Sequence, residues 1–93
     1  MTKTEERLAD AFAALHLPAY MLAPTTRYVV DHLPPGDFLT AIICNDLRGA
    51  LTRADSTNRT VLSEWVCIFT YSTPAICWGS REHFLAWITP SKV

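Results

Sequence analysis

Apolar positions recur along this chain at the three- and four-residue spacing of amphipathic helices, and cap residues or prolines punctuate them. Leu8, Phe12 and Leu15 follow Thr2 and Glu5, a pair set three apart as in a capping box, and Pro18 stops the run, so a helix is predicted over residues 3–16. An apolar linker, Leu17 to Pro24, carries Tyr20, Met21 and Leu22 and is expected to lie against the core. Thr25 or Thr26 is placed to cap a second helix over 25–33, with Tyr28, Val29, Val30 and Leu33 as its buried face. The β propensity of Tyr28-Val29-Val30 leaves a strand as the alternative, but no partner strand is evident.

The longest pattern is central. Pro34-Pro35-Gly36 breaks the chain, Pro35 suits a helix entry, and Asp37 places a carboxylate at its positive end. Leu39, Ile43, Leu47, Ala50 and Ala54 then form one stripe, widened by Phe38, Ile42 and Leu51, which predicts a central helix over 37–54. Asn45, Arg48, Thr52 and Asp55 fall on its opposite face, and Gly49 offers close approach to another helix. Asp55-Ser56-Thr57-Asn58 reads as a tight turn. A helix over 57–72 follows, built on Leu62, Trp65 and Phe69 with Val61, Val66 and Ile68 beside them, and Pro74 closes it. Ser80 is a good cap for a short helix over 81–88 carrying Phe84, Leu85, Trp87 and Ile88, and Pro90 is expected to end the ordered part before a fraying tail, Ser91 to Val93. The expectation is an all-α fold: a single small domain, a compact bundle of four to five helices, its central helix packed on the Leu62/Trp65/Phe69 face.

Composition narrows the classes. Ninety-three residues make one core and no more, and 49% hydrophobic residues argue against disorder. Eight basic residues against nine acidic ones leave no electrostatic footprint for nucleic acid and no acidic surface that mimics it. The N-terminus lacks the apolar segment of a signal peptide and no run approaches membrane-span length, so a soluble cytoplasmic protein is expected. Cys44, Cys67 and Cys77 are odd in number and widely spaced, which fits reduced structural thiols.

The chemistry-bearing residues form no catalytic set. His16, His32 and His83 sit near predicted helix ends, and none is paired with another His or a Cys at metal-ligand spacing, so no metal and no cofactor is expected. Cys77 or Ser80 with His83 would be the nucleophile arrangement, but Trp78-Gly79-Ser80-Arg81 lacks the second glycine of a nucleophile elbow, and a helix cap accounts for the serine. Asp37, Asp46 and Asp55 lie nine residues apart, which on one helix puts successive carboxylates on opposite sides. No enzyme is expected. Arg48, Arg53 and Arg59 flank the turn after the central helix; with Asn45, Asn58 and Asp55 they would form a network fixing it, or meet an acidic partner. Ten aromatic residues are many for so small a core. Tyr20, Tyr71, Trp78 and Trp87 are candidate anchors for a protein partner or a homodimer, with Arg48, Arg53 and Arg59 beside them.

The string Pro-Pro-Gly-Asp-Phe-Leu-x-Ala from Pro34 to Ala41, then Asn45-Asp46-Leu47, Arg53-Ala54-Asp55, Asn58, Cys77-Trp78-Gly79-Ser80 and Trp87-Ile88 resembles a family of small uncharacterised phage and prophage proteins. The likeness spans roughly residues 27 to 88 and leaves the first helix and its linker outside. It implies a setting, an infected or lysogenic bacterial cell, and a mode, binding of a host or phage protein, with counter-defence inhibition of the anti-CRISPR kind as one version. A small DNA-associated regulator, using a helix-turn-helix around residues 37 to 70 with a recognition helix from Asn58-Arg59-Thr60, is the alternative.

Overall fold

The computed structural model describes residues 2–89; the expected end at Pro90 and the tail 91–93 lie outside them. Seven α-helices occur among the described residues: α1 Lys3–Leu15, α2 Leu22–Asp31, α3 Asp37–Ile43, α4 Leu47–Arg53, α5 Ser56–Arg59, α6 Leu62–Ser72 and α7 Arg81–Ile88, with 3-10 turns at Ala19–Met21 and Ala75–Cys77 and no strand. The expected four to five helices undercount because two of them are each broken in two.

Helix ends follow local chemistry. Thr2 Oγ1 accepts from Glu5 N–H at 3.1 Å and Glu5 Oε1 accepts from Thr2 N–H at 2.8 Å, which closes the capping box. α1 stops where His16 enters the left-handed region at φ 57°, and Leu17 N–H returns to the Phe12 carbonyl at 3.0 Å. α2 begins at Leu22, not at a threonine cap: Pro24 sits in its first turn, where a missing N–H breaks no bond, and the buried Thr25 donates to the Met21 carbonyl at 2.8 Å. It stops at Asp31 because His32 takes φ 60°, which leaves Leu33 beyond the helix and exposed.

The expected central helix ends at Ile43 and restarts at Leu47. Asn45 adopts φ 62°, a conformation asparagine tolerates better than most residues. Asp46 N–H donates to the Ala41 carbonyl at 2.8 Å and Asn45 N–H to the Ile42 carbonyl at 3.1 Å, the paired bonds of a Schellman stop. Asp46 Oδ1 then accepts from Gly49 N–H at 2.9 Å and starts α4. Asp55 starts α5 in the same way, accepting from Asn58 N–H at 2.7 Å. The nine-residue spacing of Asp37, Asp46 and Asp55 is therefore the spacing of three helix starts, not of three sites on one helix. Gly49 serves this cap: a Cβ there would collide with the Asp46 carboxylate. The predicted helix over 57–72 breaks at Thr60–Val61, because Asn58 turns inward and its Oδ1 accepts from Trp65 Nε1 at 2.9 Å.

One core takes side chains from α1, α2, α3, α6 and α7, with Ala50 and Ala54 closing it from the α4 side. Trp65 is its centre, in edge contact with Phe12 at 5.5 Å and Phe38 at 5.8 Å between ring centroids. Tyr28 stacks on Phe84 at 5.8 Å and donates its hydroxyl to the Cys77 carbonyl at 2.5 Å; burial pushes its phenol well above the ordinary range. Gly79 N–H donates at 2.8 Å to the Ile43 carbonyl, which the break after α3 leaves without a helical donor.

Candidate functional site

The break at Asn45 decides which face of α4 meets the core. Were residues 37–54 one helix, Leu47 would continue the buried stripe. With the restart, Gly49, Ala50 and Ala54 turn inward and Leu47 turns out. Leu47 is 75% exposed and Leu51 44%. Val66 on α6, also placed in the core by its spacing, is 53% exposed. Leu47 and Val66 meet in one place. Leu47, Leu62 and Val66 form the walls of a shallow groove of about 50 Å³, floored by Ala41, Ile42 and Ala50, with Asn45 and Asp46 at its end. The small alanines come from α3 and α4, and the larger aliphatic groups stand beside them. Aliphatic groups exposed side by side along a groove make it a candidate interaction surface.

The residues singled out from sequence do not come together. Arg48 is exposed on α4 beside the Leu47/Leu51 edge. Arg53 faces the other way, lining a cleft of about 170 Å³ with Asp37, Thr40, Cys44 and Arg81. Arg59 is exposed on α5. Tyr71 is 80% exposed on α6, five residues past Val66 and so about 140° around the helix from the groove. Tyr20 donates to Asp55 Oδ2 at 2.5 Å; this bond holds the Asp55 carboxyl below its usual range and pushes the Tyr20 phenol up. The turn that starts α5 is thus fixed by Asp55 and Asn58 with Tyr20 and Trp65, in place of the expected arginines.

Trp87 is only half-buried, but both its faces of polarity are spent: Nε1 donates to the Tyr28 carbonyl at 2.8 Å, and its own carbonyl accepts from His32 Nδ1 at 2.7 Å. The His32 ring stacks on it at 4.1 Å, so the two residues clamp α7 to α2. Trp78 is half-buried, its Nε1 enclosed without a hydrogen-bond partner.

The Cys77–Ser80–His83 arrangement does not assemble. Ser80 Oγ accepts from the His83 backbone N–H at 3.1 Å as a cap, and the His83 ring Nδ1 donates to the Trp78 carbonyl at 2.7 Å. Cys77 is buried, which pushes its thiol up, with a hydrogen bond from Thr73 opposing. Burial also raises the Cys44 thiol, with Arg81 opposing; a raised thiol is protonated at neutral pH and a weak nucleophile. Among the described residues no three His, Cys, Asp or Glu side chains gather as a metal site, and no helix is long and apolar enough to cross a membrane.

The recognition helix of the helix-turn-helix alternative is also missing from its expected place. Asn58 is buried against Trp65, α5 lasts four residues, and α6 contains no Arg or Lys. Periodicity hides Leu47 and Val66, since it assigns both, with Leu51, to the core. The signal that reveals them is Asn45-Asp46 with Gly49, a stop followed by a cap. Comparison with protein-family models, curated proteins and solved structures finds no match to this chain.

Proposed function

We propose that this chain is a small phage- or prophage-encoded accessory protein that works in the bacterial cytoplasm by binding another protein, as a counter-defence inhibitor of a host immune complex, and that it binds through the groove between α4 and α6. One observation supports the binding mode: two aliphatic side chains at helix-face positions, Leu47 and Val66, stand in solvent along one groove while the core is filled without them. The phage setting is supported by the sequence signature from Pro34 to Ile88. The DNA-binding alternative has less support, since Arg59 is the one basic side chain on the segment that would enter a groove of DNA and α6 carries no Arg or Lys.

The test uses bacteria with an active CRISPR immune system, challenged with a phage it targets. Expression of the chain is expected to raise plating efficiency, and Leu47→Asp to abolish the effect while leaving the protein folded. A photo-cross-linking residue at position 66 should capture the same partner, whereas one at 71 should not. No protection by the wild-type chain overturns the counter-defence role. Equal capture from 66 and 71, or unchanged protection with Leu47→Asp, overturns the groove as the binding surface.

A further inference from the structure

We propose that the cleft between the ends of α2 and α7 binds a small organic cation, an ammonium group on an apolar body. The cleft has a volume of about 590 Å³, within the roughly 300–1,000 Å³ of small-molecule sites. Asp31, His32 and Leu33 line one side, and the last turn of α7 with Thr89 lines the other. The stacked rings of His32 and Trp87 join the two sides, and Leu33 and Ile88 add aliphatic surface for the apolar body. The cleft shares no residue with the α4–α6 groove, so the two readings stand or fall separately.

The lining residues have spent their hydrogen-bond donors inside the chain. The backbone N–H groups of Asp31, Ala86, Trp87 and Ile88 lie within helices, past the first turn. His32 N–H donates to the Tyr28 carbonyl at 3.1 Å and Leu33 N–H to the Arg27 carbonyl at 3.2 Å. Thr89 donates twice to the Leu85 carbonyl, from its N–H at 3.1 Å and from its hydroxyl at 2.6 Å. Trp87 Nε1 donates to the Tyr28 carbonyl, and His32 Nδ1 to the Trp87 carbonyl, which in the neutral imidazole leaves Nε2 as an acceptor. What the lining side chains still offer a ligand are acceptors, that nitrogen and the Asp31 carboxylate. Asp31 is also the only charged side chain that lines the cleft. Arg27 and Glu82, each four residues back along α2 and α7, stand outside it and oppose each other in sign. The ends of α2 and α7 add the negative poles of two helix dipoles, and neither helix has a basic residue in its last turn. An ammonium brings donors and positive charge together, whereas an anion meets acceptors and a like charge. The size of the cleft selects a free amine over one lysine side chain of a partner protein.

The probes are phenethylamine, phenethyl alcohol and hydrocinnamate, one aromatic body ending in a cation, a neutral hydroxyl or an anion. Each is titrated into the isotope-labelled full chain at mildly alkaline pH, where histidine is ordinarily neutral and an alkylamine still charged. Phenethylamine is expected to shift the amides of residues 31–33 and 86–89 with the Trp87 indole N–H, and to bind roughly fivefold tighter than the alcohol, the size of one exposed ion pair. Hydrocinnamate is expected to bind weakest. Asp31→Asn should bring the amine down to the alcohol and leave the alcohol unchanged. Ala86→Phe, at an exposed position, should fill the cleft and abolish binding of both with the fold intact. Butylamine, the side chain of lysine alone, should bind more weakly than phenethylamine; equal binding assigns the site to a partner's lysine and overturns the free amine. Equal binding of phenethylamine and hydrocinnamate, or an amine affinity indifferent to Asp31→Asn, overturns the cationic ligand. Shifts confined to other residues, or none with any probe, overturn the cleft as a site.

Discussion

α4 and α6 carry the same kind of apolar spacing, yet the molecule uses them in opposite ways. On α6, Trp65 and Phe69 are buried, and the one polar atom of the indole is matched by Asn58. On α4, Leu47 and Leu51 stand one turn apart in solvent, and the inward positions are Gly49 and Ala50. Spacing says which residues share a face. It does not say which face the neighbouring elements cover. That is set by the direction in which a helix starts, and for α4 the direction is set by the left-handed Asn45 and the Asp46 cap.

The sharpest break in this comparison comes from the core side. Leu39→Asp buries an uncompensated charge among fully enclosed side chains and is expected to cost about 4 kcal/mol or more, a large part of the ~5–15 kcal/mol typical of a domain, so urea denaturation should find it mostly unfolded. Next is Asn58→Ala, which leaves Trp65 Nε1 buried without an acceptor; a loss of about 1–3 kcal/mol is expected in the same assay, with Asn58→Asp retaining part of it. Asp46→Ala removes the α4 cap and should cost about 1 kcal/mol, read together with faster amide exchange at Gly49.

Much of the fold is legible in the chain. The Thr2–Glu5 box, the Ser80 cap, and the stretch 81–88 lie where cap chemistry places them, because in each case a polar cap precedes a single uninterrupted apolar run. The region 37–72 is harder. Its apolar stripe continues in phase across Asn45, so periodicity joins what backbone geometry separates, and only the local stop-and-cap signal of Asn45-Asp46-x-x-Gly49 divides it. Asn58 hides in the same way: a turn residue by composition, it is drawn inside by an indole seven positions on. The candidate surface is illegible for a connected reason. Its members are aliphatic and in phase with the core, and the exposed aromatics that looked like anchors are partly spent on internal bonds, Tyr20 on Asp55 and Trp87 on Tyr28 and His32.

The smallest expected effect concerns that Tyr20–Asp55 bond. Tyr20 is 58% exposed, and Tyr20→Phe should leave the fold intact while raising the Asp55 carboxyl titration towards the ordinary range, as followed by carboxyl NMR. The sign follows from linkage. The Asp55 carboxyl is lower in the folded chain than in the unfolded one, so its contribution is present above the ordinary carboxyl range, near pH 4, and is lost as pH falls through the folded value. The variant should therefore differ from the wild type least in acid, where the bond is already broken.

Leu39 and Leu47 lie in phase on one apparent stripe, yet one is enclosed and the other stands in water. The direct measurement is the urea-unfolding free energy of Leu47→Asp beside that of the wild type. The exposed position predicts a change within about 0.5 kcal/mol, with the cooperative transition kept. A loss of several kcal/mol, approaching that of Leu39→Asp, would mean that Leu47 is buried in a continuous helix, and would remove both the break at Asn45 and the groove it creates.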